Sequence, residues 1–323
     1  AMNLIAPLTM LGFGTLLMTA LPTMKHGRPG LVSTAALVSG TTAGVAALIC
    51  AFLLPPDFIG LPGIGSQIGV DLLFAAAVAT QSVGSMLDQA LLSMIGGGMQ
   101  LRRNTIHAVV KLVLLVVFAL TLARYGATII FTTWLVANVV SIVVVVLLIM
   151  RDHKVPPSQL LPELSVLRGL HFDAFRHHSL NTSLLVPYFA MPIVANVVLG
   201  SEQAGYLFAA WSVAGFVFFV PLSLSWALFA SGARDDSTFH MEFRKTLRYS
   251  MLVCIAANVV MAALGGVILS IFGTAYAANA HIPLIVLCLG GLGLVVKDHH
   301  VALARVTGNV AREAVLVGVL SVA

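Results

Sequence analysis

The sequence predicts an all-α integral membrane protein of about ten transmembrane helices, and three observations carry that prediction. The chain of 323 residues is 59% hydrophobic and 9% charged, with a mean hydropathy of +1.02, which excludes a soluble core of this length. Its apolar residues fall in long runs, most of them near the roughly 20 residues that cross a bilayer core as a helix. Lys and Arg crowd into every second gap between those runs, and the intervening gaps hold only Arg124. By the positive-inside rule the basic gaps face the cytoplasm, and a multi-pass protein of the cytoplasmic membrane is expected.

The first run, Asn3 to Pro22, lacks a basic leader and continues into a polytopic pattern, so it reads as an internal helix rather than a signal peptide. Lys25 and Arg28 follow it. The helix therefore runs from outside to inside, and a further helix is expected before Ala1. Leu31 to Leu54 returns outward, and Ile68 to Ile95 comes back in, ending near the basic pair Arg102 and Arg103. Thr105 to Ala123 and Ala127 to Met150 complete the first half. Leu180 to Leu199, Ala204 to Ala230, Leu247 to Phe272 and Ile282 to Ala304 form the second, with Arg234, Arg244, Lys245 and Arg248 in one gap and Arg305 and Arg312 in another. The last run, from Ala314, is too short to span and reads as part of a helix.

Between the halves lies the longest polar stretch, from Arg151 to His178. Its Pro156, Pro157 and Pro162 break helix at the start. Leu164, Leu167, Leu170 and Phe175 then stand at helical spacing beside Arg168 and Arg176, as in an amphipathic helix lying on the inner surface. The reading is an N-terminal lobe over 1–150 lacking its first helix, a cytoplasmic linker over 151–178, and a C-terminal lobe over 179–323 lacking its end. A plain connecting loop is the alternative for the linker. The halves repeat one another: "MLDQALLSMIGGGMQLRRNTIHAVV" and "VKDHHVALARVTGNVAREAVLVGVL" share an order of acid, Gly-containing turn and basic residue, with Asp298 where Asp88 stands. Two pseudo-repeated six-helix lobes with the same orientation follow, and such repeats mark secondary transporters.

Composition also limits the chemistry. The net charge of +5 sits at helix ends, where anionic headgroups attract it, and does not point to nucleic acid. Cys50, Cys254 and Cys288 have neither metal nor disulfide spacing. His177 with His178, and His299 with His300, are neighbours that do not converge on one ion. Gly96 to Gly98 is a turn without the Lys of a phosphate loop. No cofactor, metal site or catalytic residue is expected, and Asp235 and Asp236 read as a solvated loop.

The segment from Asp88, "DQALLSMIGGGMQLRRNTIHAVVKL", together with "AWSVAGFVFFVPLSLSWALFASGARDD" and "LSIFGTAYAANAHIPLIVLCLG" followed by "ALARVTG", resembles the oligosaccharide flippases of the multidrug/oligosaccharidyl-lipid/polysaccharide (MOP) superfamily. The resemblance implies two lobes around a central cavity. It also implies movement of polyprenyl-diphosphate-linked oligosaccharide from inner to outer leaflet for surface polysaccharide biosynthesis, beside membrane lipids and polysaccharide assembly proteins. A cation-coupled multidrug antiporter of the same superfamily would carry aromatic cations through an acid-lined cavity. A membrane glycan polymerase or ligase would need a large outer loop, and a non-transporting scaffold would have a dry centre.

The candidate substrate contacts are the ionisable residues within or beside the runs: Lys111, Asp88, Arg103, Lys297, Asp298 and Arg28. Each buried charge costs about 2.5 to 3.5 kcal/mol at the bilayer centre unless partnered. Asp88 lies roughly ten residues above the cytoplasmic end of its helix and Lys111 roughly eight above the start of the next, so they stand at similar depth on antiparallel neighbours and an ion pair between them is expected. Lys297 and Asp298 point about 100° apart and are not expected to pair. Asp71 reads as a wet acid near the outer end of its helix. Pro7, Pro187, Pro192, Pro221 and Pro283 are candidate kinks that serve either as hinges or in packing alone.

Overall fold

The computed structural model describes residues 2–24, 27–54, 59, 61, 63–121, 127–167, 170–233 and 239–322, and every regular element among them is helical. Lys25, Arg124, Arg168, Arg234, Asp235 and Asp236 lie outside the described residues. Two compact units divide the chain, 1–182 and 183–323.

In the first unit, the opening apolar run is split into α1 (Met2–Thr9) and α2 (Phe13–Thr23). Pro7 lies inside α1, and Leu11 and Gly12 adopt positive φ of 50° and 76° at the break. A side chain on Gly12 would strike the backbone at Ala174 and His178, so glycine is what lets α2 start this close to α7 (His171–Leu199). Then come α3 (Arg28–Leu53), α4 (Ile68–Met94), α5 (Gly97–Thr121) and α6 (Ala127–Asp152). α4 is the central element, packed against α1, α2, α3, α5 and α6. Its Phe74, Ala75, Ala77 and Val78 meet Ala43, Ala47 and Ala51 of α3 in one core, where small residues bring the two backbones together.

Asp71 corrects the expectation of a wet acid: it is 3% exposed, and Oδ1 accepts the Gly65 N–H at 2.7 Å. The reason is local. A glycine turn at Gly63 and Gly65 leaves donors that the first turn of α4 is placed to satisfy. The polar stretch after α6 also differs from expectation. Short 3-10 turns, Pro157–Leu160 and Leu164–Leu167, pack on α3, where the Glu163 N–H donates to Thr34 Oγ1 at 2.7 Å. No amphipathic helix starts at Leu164. The helix begins at His171 and continues as α7, leaving Leu164 and Phe175 exposed.

The second unit holds the rest of α7, then α8 (Ser201–Gly232), α9 (Phe239–Ser270), a short α10 (Thr274–Asn279), α11 (His281–Val306) and α12 (Val310–Val322). Pro221 lies within α8, which continues through it, and Pro283 sits in the first turn of α11, where its missing N–H costs nothing. α8, α9 and α11 enclose a core of Ala210, Val213, Ala214, Cys254, Leu284, Cys288 and Val295, the two cysteines being free and acting as small apolar packers. Gly265 of α9 faces Leu284 and His281 of α11 at a distance that leaves no room for a side chain.

Among the described residues seven helices are long and apolar enough to cross a membrane: α3, α4, α5, most of α6, α8, α9 and α11. The surface agrees. α5 turns Leu101, Val109, Leu112, Val113, Val116, Val117 and Leu120 outward, and so do the other spans with comparable residues. A helix that exposes its apolar face and hides its polar one is built for lipid.

Candidate functional site

The polar face that α5 hides is a stripe at i, i+4 and i+8: Arg103, His107 and Lys111. α4 opposes it with Gln81, Ser85 and Asp88, and α6 with Trp134, Asn138 and Ser141, again at helical spacing. Three polar stripes therefore converge inside a bundle whose outside is apolar.

Asp88 is paired with Arg103, not with Lys111. Nε donates to Oδ1 at 2.5 Å and Nη2 to Oδ2 at 2.7 Å, a two-pronged contact with the side chains 16% and 6% exposed. The correction follows from where the chain turns. Helix α4 ends at Met94, the reversal falls at Ile95 and Gly96 (φ 110°), and α5 begins at Gly97 rather than after the basic pair. Asp88 and Arg103 are each seven residues from Ile95–Gly96, so they meet at one depth, about 10 Å from the helix ends. Arg103 Nη2 also donates to Asn104 Oδ1 at 2.9 Å, while Nη1 is buried with no hydrogen-bond partner among the described residues. Gly84 makes the space: a Cβ there would stand 2.7 Å from Nη1 and 3.3 Å from Asn138 Oδ1.

Higher in the bundle, Lys111 Nζ sits 4.5 Å from the centroid of the Trp134 ring, a cation–π contact. Trp134 Nε1 donates to Gln81 Oε1 at 2.9 Å, and Asn138 Nδ2 donates to the same oxygen at 3.0 Å. Gln81 thus fixes the indole on which Lys111 rests. His107 lies between the two cations, its ring 6.2 Å from that of Trp134, with Nε2 buried and without a hydrogen-bond partner among the described residues. The arrangement brings one carboxylate, two cations and an imidazole together, and leaves donors over for a polar or anionic guest.

The second unit places its candidates differently. Lys297 Nζ is 3.0 Å from Asp298 Oδ1, against the expectation that neighbours on a helix do not pair; the four-carbon lysine stem is long enough to bend back over the 100° between them. Ser225 of α8 donates to the Asp298 carbonyl at 2.7 Å. Arg305, buried, lies 4.5 Å from the Trp226 ring centroid and 5.5 Å from that of Phe229. His299 is fully buried, with Nδ1 2.9 Å from the Val295 carbonyl, whereas His300 Nε2 meets Glu313 Oε2 at 3.0 Å. Among the described residues no group of His, Cys, Asp and Glu is arranged to hold a metal ion.

Arg28 makes its contacts outside the first unit's polar cluster. Its Nε donates to the Met24 carbonyl at 2.7 Å and Nη2 to that of Pro22 at 3.4 Å, so it closes the C-terminal end of α2.

Sequence reasoning singled out Asp88, Arg103 and Lys111 by their charge and missed Gln81, Gly84, His107 and Trp134. The spacing Arg103, His107, Lys111 was a readable signal. The other three carry no charge and blend into apolar runs.

No protein-family model matches the sequence, and no curated protein matches it either. Solved structures do resemble its fold. A MATE in complex with MaD3S aligns over 98% of this chain and 74% of its own, with TM-score 0.78 and 14% identity. An outward-facing multidrug resistance MATE family transporter of the MOP superfamily aligns over 98% and 74%, with TM-score 0.74 and 15% identity. An inward-facing one aligns over 99% and 77%, with TM-score 0.67 and 14% identity. The chain thus has the helical fold of MATE transporters.

Proposed function

We propose that the chain is a secondary transporter of the MOP type in the cytoplasmic membrane, and that it exchanges an organic compound for a cation by alternating access. The observation that carries this reading is the likeness to MATE transporters solved in both outward-facing and inward-facing conformations, over nearly all of the chain. A buried ion pair and cation–π contacts within a lipid-facing bundle suit such a role, since intramembrane charges are retained where they serve a path or a coupling step.

A second reading is favoured by the sign of the charge in the first unit. Arg103 is matched by Asp88, but Lys111 has no ion pair among the described residues, and His107 lies beside it. A cluster with surplus positive charge suits a diphosphate better than an organic cation. On this reading the chain moves polyprenyl-diphosphate-linked oligosaccharide to the outer leaflet, in company with polysaccharide assembly proteins.

One experiment separates the two. The chain is reconstituted into proteoliposomes and given either an aromatic cation under a sodium or proton gradient, or a lipid-linked oligosaccharide whose arrival in the far leaflet is read by lectin binding. Gradient-driven accumulation of the cation supports antiport. Lectin-accessible oligosaccharide without cation movement supports flipping, and silence in both would sink the transport reading.

A further inference from the structure

The first four turns of α9 carry His240, Met241, Arg244, Lys245, Arg248, Tyr249 and Leu252 around a shallow groove of about 710 Å³. At 100° per residue these seven occupy one half of the helix circumference. All are exposed. The opposite half, with Phe243, Leu247, Ser250 and Cys254, is turned toward the unit, and there the one acid of the segment, Glu242, is held by Ser231 Oγ at 2.5 Å. The exposed half is therefore strongly basic, with no carboxylate of this segment on it.

Where this half lies relative to lipid can be read from the same helix. From the edge of the groove at Leu252 onward, α9 exposes Val253, Ile255, Val259, Val260, Leu264 and Val267. From Leu252 to its last residue, Ser270, the helix rises about 27 Å, close to the roughly 30 Å hydrocarbon core. The basic half-turns emerge at the level of the phosphates. Tyr249 sits at the boundary, as interfacial aromatics do.

We propose that Arg244, Lys245 and Arg248 form a binding site for the phosphate of an anionic phospholipid of the cytoplasmic leaflet, with Met241, Tyr249 and Leu252 against its acyl chains. Charge complementarity and depth both select a lipid: a soluble anion would meet the cations but leave the apolar rim of the groove without a partner. The site is independent of what the protein carries, so its failure would leave the transport reading untouched.

The test is native mass spectrometry of the full chain in detergent, titrated with phosphatidylglycerol and with phosphatidylcholine of the same acyl chains. The wild-type chain is expected to prefer phosphatidylglycerol. The triple variant R244Q/K245Q/R248Q should lose that preference by on the order of tenfold to a hundredfold. A control, R151Q/K154Q, should keep it. Equal binding of both lipids by the wild-type chain, retention of the preference in the triple variant, or its loss in the control would each overturn the proposal. Displacement of the lipid by millimolar inorganic phosphate would assign the groove to the free anion and overturn it as well. Unchanged helical circular dichroism in the triple variant keeps a folding defect from imitating the expected result.

Discussion

Asp88 holds Arg103 through both of its oxygens, so neither residue can be changed alone without stranding a charge in an apolar bundle. Asp88→Leu or Arg103→Met should each destabilise by about 3–5 kcal/mol, and the double substitution by much less than their sum. Thermal unfolding of the four proteins in one detergent measures this coupling; simple additivity would show that the pair contributes nothing as a pair. Gly84→Ala should act through the same guanidinium, costing about 1–3 kcal/mol by overpacking, and should lose most of that cost when Arg103→Met is already present. Lys111 behaves otherwise. It rests on an indole rather than a carboxylate, so Lys111→Met should leave Tm within a few degrees while reducing transport, with Lys111→Arg restoring it. At this scale the sequence exposed the charged residues and hid their partners, because glutamine, glycine and tryptophan inside an apolar run look like packing.

Helix boundaries decided what single residues could not. The expectation of an Asp88–Lys111 pair followed from starting the second helix after the basic pair, whereas the chain reverses at Ile95 and Gly96 and α5 already begins at Gly97. Apolar runs announced the long helices well, since seven of them carry the required length and hydropathy. Breaks inside runs were harder to see. The unwinding between α1 and α2 needs Gly12 to pass beneath α7, a contact 160 residues away in the chain that no local propensity records. Gly12→Ala is expected to push the start of α7 off α2. Limited proteolysis should then cut faster between Pro156 and His171, and unchanged cleavage would show that the close approach is dispensable.

At the scale of the whole molecule, the alternation of basic and uncharged gaps sets a topology that can be tested without a substrate. Three helices, α4, α5 and α6, separate Ser66 from Ser158, and both serines are exposed. In a background with Cys50, Cys254 and Cys288 replaced by serine, S66C should react with an impermeant maleimide from outside intact cells, and S158C only after the membrane is opened. Labelling of both from one side would refute the assignment. The fold class was readable because lipid imposes it on composition and periodicity. The cargo was not, because a MATE-type fold serves both readings and the deciding groups number only a few side chains.

The two-pronged contact between Asp88 and Arg103 also bears on biogenesis. Each residue lies seven positions from the Ile95–Gly96 reversal, so a hairpin of α4 and α5 entering the membrane as one unit would carry these two opposite charges as a neutral pair. Insertion of α4 together with α5 would spare Asp88 and Arg103 the cost of entering lipid as separate charges.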